Sequence, residues 1–178
     1  MRPFVLDASV AAKLVLCDEP LRAQAVWWLA EHDQKRLQLV VPGLFWTEIA
    51  SLLRQAVTRG RLTRASARAA FESTLGLELV TVTGPELAGK ALERGTAALL
   101  RTPSRWSGCG RNSLGGNARP LCSGRVQVAS LGIDFNHSCY DMVYAALALR
   151  LGTHVVTADE RWVRAAGTRL PLRWLGSL

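Results

Sequence analysis

The 178-residue sequence is short of the residues that staple small folds or hold soft metals. Its four cysteines, Cys17, Cys109, Cys122 and Cys139, are too few and too scattered for a disulfide framework, and no two form a CxxC pair. Reduced thiols follow, with Cys109 and Cys122 able to pair under oxidising conditions. With only three histidines, no His/Cys cluster offers a zinc site. No apolar run approaches the ~20 residues needed to cross a bilayer, which excludes a spanning helix. The opening MRPFVLDASV has one basic residue and then an acid at position 7, which does not read as a signal peptide. A soluble, cytoplasmic protein without membrane partners is expected.

What is present is a globular balance. Hydrophobic residues make up 49% and charged residues 20%, and the length suits one domain spanning 1–178. The net charge of +8 is unevenly placed, because Arg94–Arg125 holds six arginines and no acid. A basic balance raises affinity for phosphate backbones. Most of it sits in this one segment, so it supports a nucleic-acid partner only weakly.

Short apolar runs alternate with helical periodicity. Strands are predicted at Pro3–Leu6, Leu37–Val41, Glu78–Val82, His154–Thr157 and Leu172–Leu175. Helices are predicted at Ala8–Leu14, Glu19–Glu31, Thr47–Arg59, Thr63–Leu75, Pro85–Glu93, Ser138–Arg150 and Glu160–Ala166. The second helix is expected to open on Asp-Glu-Pro, residue types favoured in a first turn. Between Gly95 and Gly124 the chain is rich in Gly, Ser, Arg and Pro without a sustained period, and reads as an irregular insertion. Order resumes at Val126–Leu131. The alternation argues for an α/β sandwich around a mainly parallel sheet.

In such a sheet the strand C-termini share one edge, and ligands bind in the crevice outside it. Asp7 and Asp159 each follow a strand and face that edge. Asp141, in the first turn of its helix, joins them if that helix starts beside the same edge. Each acid also has a bland explanation. Asp7 and Asp159 are placed as N-caps, Ser138 and Asp141 have capping-box spacing, and the dipole favours Glu48 near a helix N-terminus.

Four segments, VLDASV, WTEIASLLRQ, HSCYDMVYAALALRLG and VVTADERW, occur in the order and spacing of one known family. The chain resembles the VapC-type toxins of the PIN-domain ribonuclease family over roughly residues 3–93 and 126–176. The resemblance implies a three-layer α/β/α PIN domain with Asp7, Glu48, Asp141 and Asp159 as its acidic quartet. It places Ser9 and Thr157 at small hydroxyl positions supporting a metal shell. It further implies an RNA substrate (tRNA or ribosomal RNA), a cognate antitoxin protein that inserts an apolar helix, and a homodimer. The insertion at about 95–124 departs from the family pattern, and reads better as a tolerated surface insertion than as an RNA-gripping loop.

The chemistry agrees. Phosphodiester hydrolysis needs charge stabilisation and an activated water, which Mg2+ or Mn2+ supplies, and such hard ions take carboxylate oxygens. Asp7 and Asp141 are assigned to the main ion, with Asp159 and Glu48 on a second ion or the attacking water. Asp7, Asp141 and Asp159 are expected to converge, with Glu48 on the rim. The competing reading is a catalytically inactive PIN module that binds RNA or antitoxin. An aspartate phospho-acceptor domain ranks low, since it expects adjacent acids after the first strand and a late lysine, whereas the lysines are Lys13, Lys35 and Lys90.

Overall fold

Strand β1 (Arg2–Leu6) ends in three consecutive buried residues, Phe4, Val5 and Leu6. Side chains alternate between the faces of a strand, so such a run must be covered from both sides. The computed structural model describes residues 1–16, 19–83 and 138–177 and makes β1 the centre of a five-stranded sheet. The other strands are β2 (Leu37–Pro42), β3 (Val80–Val82), β4 (Val155–Thr157) and β5 (Leu172–Trp174). Their order is β3-β2-β1-β4-β5 and every pairing is parallel.

Helices α1 (Ala8–Val15), α2 (Arg22–Asp33), α3 (Leu44–Thr58), α4 (Arg64–Leu75), α5 (Cys139–Leu151) and α6 (Glu160–Ala166) complete a three-layer α/β/α fold. The core joins Val5, Leu39 and Val156 of the sheet to Phe45, Ile49, Leu147 and Trp162 of the helices. Trp28 on α2 closes one side, edge-on to Phe4 at 4.8 Å between ring centres. No helix among the described residues is long and apolar enough to cross a membrane.

Two helix starts differ from expectation. Helix α2 begins at Arg22, not Glu19, because Leu21 takes a left-handed conformation at φ 66° and breaks any earlier turn. Glu19 instead bonds Lys13 and Arg61. Helix α3 begins at Leu44, not Thr47: the chain turns at Gly43 directly after Pro42, and the buried Phe45 already belongs to the helix. The predicted helix at Pro85–Glu93, the insertion at 95–124 and the segment Val126–Leu131 lie outside the described residues.

The strand order sets the functional address. From β1 the chain builds β2 and β3 on one side, then returns to add β4 and β5 on the other. The switch point therefore lies between β1 and β4, at their carboxyl ends.

Candidate active site

Asp7 leaves β1 at that point. Its backbone stands at the N-cap of α1, extended at φ −79° and ψ 146°, but its side chain makes no cap bond. The residue is only 6% exposed. Its Oδ2 accepts a hydrogen bond from Ser9 Oγ and a second, 2.7 Å long, from Thr157 Oγ1. Backbone amides fix the direction of both bonds. Ser9 Oγ accepts from Ala158 N at 3.0 Å, and Thr157 Oγ1 accepts from Asp159 N at 3.0 Å. Each hydroxyl then has its single hydrogen left for the carboxylate. Asp7 is thus gripped from α1 and β4 at once, across the switch point. Burial raises its pKa, the bonds from Ser9 and Thr157 oppose the rise, and the charge of Asp141 adds to it.

Glu48 lies in the second turn of α3, beyond the reach of the dipole argument for a first-turn acid. It is half-buried, and its Oε2 accepts a hydrogen bond from the Tyr144 phenol on α5. Burial again lifts the pKa most. The Tyr144 bond lowers it, and the charges of Asp7 and Asp141 raise it. Tyr144 is fully buried, and its own pKa is pushed far above the ordinary phenol range by burial and by the bond to Glu48. It therefore stays a hydrogen donor at any working pH.

Asp141 sits partly buried in the first turn of α5, and its charge acts on both Asp7 and Glu48. Ser138 caps that helix through Tyr140 N at 3.2 Å. Asp159 is exposed at the same sheet edge, but its Oδ1 accepts from Arg161 N at 2.9 Å and Trp162 N at 3.1 Å. It is the N-cap of α6, so the bland explanation holds for that oxygen. The structure therefore couples Asp7, Glu48 and Asp141, and places Asp159 at the same edge, linked through Thr157, with one carboxylate oxygen given to the cap. Tyr144 was not among the residues singled out from sequence. Its signal was there: a phenol three residues after Asp141, on the same helix face, needs a polar partner when buried.

Among the described residues, no three His, Cys, Asp or Glu side chains stand together as a ready-made ion site. The donor chemistry nevertheless suits a hard cation. Burial raises Asp7 and Glu48 most and neighbouring carboxylates raise them further, and no lysine or arginine among the described residues figures in their shifts. Mg2+ keeps several of its waters and needs only one or two protein carboxylates. Asp7 and Asp141 would hold such an ion, with Glu48 beside it.

No protein-family model matches the chain, and no curated protein matches it. Among solved structures, the chain is similar to a chain of VapBC2 from Rickettsia felis, a structure bound to a DNA fragment from their promoter. The TM-score is 0.55 at 9% sequence identity, over 97% of this chain and 98% of that one. At that identity the likeness concerns the fold, and at the level of the fold the chain is the PIN-like α/β/α domain that its four motifs imply.

Proposed function

We propose that the chain is a Mg2+-dependent endoribonuclease, with Mn2+ able to substitute, and the toxin of a toxin–antitoxin pair. The observation that carries this reading is Asp7. A carboxylate this buried, at the switch point, accepts hydrogen bonds from two oriented hydroxyls, which oppose the rise that burial and the charge of Asp141 give its pKa. A fold spends stability on such an arrangement where charge is needed for function. The assembly of the Rickettsia felis neighbour supports an antitoxin partner.

A divalent cation bound there would neutralise charge on the scissile phosphate and acidify a water. Ser9 and Thr157 favour the ionised form of Asp7 against the effect of burial and fix its direction. Tyr144 orients Glu48, whose raised pKa suits it to take a proton from the attacking water. Asp159 holds the turn that carries the Thr157 and Ser9 acceptor bonds.

Purified protein should cleave tRNA or ribosomal RNA with Mg2+ or Mn2+ and stop in EDTA. Asp7→Asn should cost on the order of a thousandfold in rate, the equivalent of several kcal/mol of lost transition-state stabilisation. Thr47→Ala, on an exposed neighbour of Glu48, should cost far less. A second reading, the inactive module, draws on the capping role of Asp159 and the lack of three gathered donors. It wins if wild type binds RNA with magnesium present and leaves it uncut.

A further inference from the structure

From Ile49 to Phe71 the chain carries five arginines, Arg54, Arg59, Arg61, Arg64 and Arg68, and no acidic residue. This run is the second half of α3, its turn, and the first half of α4. All five side chains are exposed. Arg61 is paired with Glu19 and Arg68 with Glu72. Arg54, Arg59 and Arg64 have no ion-pair partner among the described residues.

Helix stability does not account for the placement. Arg64 is the first residue of α4, at the positive end of its dipole, where a basic residue is unfavourable and an acid is absent. Arg54 and Arg64 flank a groove of about 410 Å3 between α3 and α4, floored by Leu53, Val57, Ala67 and Phe71. The groove and the acidic site share α3. Glu48 sits near one end of that helix and Arg59 at the other, about 16 Å apart along the axis at ~1.5 Å per residue.

We propose that this surface is an extended binding track for the single-stranded part of the RNA substrate. Phosphates meet Arg54, Arg59 and Arg64, and a base lies over the apolar floor. Charge complementarity commits the occupant: three arginines without acidic partners beside an apolar cleft suit a phosphate chain with splayed bases. The span from Glu48 to Arg59 takes up at most about five nucleotides, since ~3.4 Å per phosphate is the stacked spacing and splayed bases lengthen it. This inference rests on the RNA reading above and adds where the rest of the strand lies.

The test uses the full chain, a fluorescein-labelled single-stranded RNA made uncleavable by 2′-O-methyl groups, and EDTA throughout. Anisotropy titrations are run from 50 to 200 mM salt. Arg54→Gln/Arg59→Gln/Arg64→Gln should bind at least about tenfold more weakly at the lowest salt, and its log–log salt slope should fall by about 2, since each lost contact on a single strand removes about 0.7. The corresponding triple lysine variant should keep the slope, because a phosphate accepts any point charge. Thr47→Ala, at an exposed position with no assigned role, should bind like wild type. Thermal melts check that each variant is folded. Equal affinity and slope in wild type and the glutamine variant would overturn the track, while cleavage of unmodified RNA in a separate magnesium assay, lost in Asp7→Asn, would keep the nuclease reading. If wild type binds poly-glutamate through these arginines and ignores RNA, the surface is a docking site for an acidic protein segment and the track falls. If wild type neither binds nor cuts RNA, both readings fall.

Discussion

Replacing Asp7 by asparagine should change stability in opposite directions with and without metal. The perturbation keeps size and shape, and the amide oxygen still accepts from Ser9 Oγ and Thr157 Oγ1. What it removes is a charge at a residue 6% exposed, raised in pKa first by burial and further by Asp141. In metal-free protein at neutral pH that charge is a burden, and relieving it should stabilise by on the order of 1 kcal/mol. For a chain of this size that is about 2–4 °C in Tm. With metal at a hundredfold its Kd, wild type should gain about 2.7 kcal/mol by mass action, and the variant almost none. The two melting curves should therefore swap order between EDTA and Mn2+, read by calorimetry or far-UV circular dichroism. The pH dependence gives a second handle. The folded pKa of Asp7 lies above its unfolded value, so its contribution is most favourable below the ordinary aspartate range of about 4 and is lost as pH rises through the folded pKa. The metal-free gap between variant and wild type should accordingly close toward acidic pH. A variant less stable than wild type in EDTA at neutral pH would refute the reasoning. The two hydroxyl bonds would then outweigh the buried charge, and Asp7 would be a structural residue.

Other changes test neighbouring links. Thr157→Val keeps the shape of the side chain but strips a donor from Asp7 and an acceptor from Asp159 N, and should cost about 1–3 kcal/mol in a metal-free melt. Tyr144→Phe removes the bond that lowers the Glu48 pKa, so the acidic limb of the cleavage pH–rate profile should move to higher pH. An unmoved limb would show that Glu48 does not control the rate. Trp162→Ala empties a fully buried site on α6 and should cost about 3–5 kcal/mol in denaturant unfolding.

Much of the fold was legible in the chain because apolar periodicity is a local property. The runs ending at Leu6, Val41 and Thr157 and the helical spacing after Ser138 and Thr63 mark the elements wherever they later pack. The helix starts were harder. Glu19-Pro20 reads as a first turn, but the left-handed Leu21 and the bonds of Glu19 to Lys13 and Arg61 decide otherwise. One of those partners, Arg61, stands 42 residues away in sequence.

The acids show the division most clearly. Asp7 and Asp159 have the same local signature, an aspartate between a strand and a helix, and sequence supports cap and ligand equally for both. In the fold their roles separate. Asp7 follows the central strand, covered on both sides, where Thr157 arrives from β4 some 150 positions away to meet its carboxylate. Asp159 follows β4 into solvent, and the amides of Arg161 and Trp162 claim its oxygen. The residue types that could do the chemistry, and the edge they share, were determined by the sequence itself. Which carboxylates repel one another, and which one gives an oxygen to a helix cap, was decided by tertiary structure, because burial and Coulomb coupling depend on distance in space.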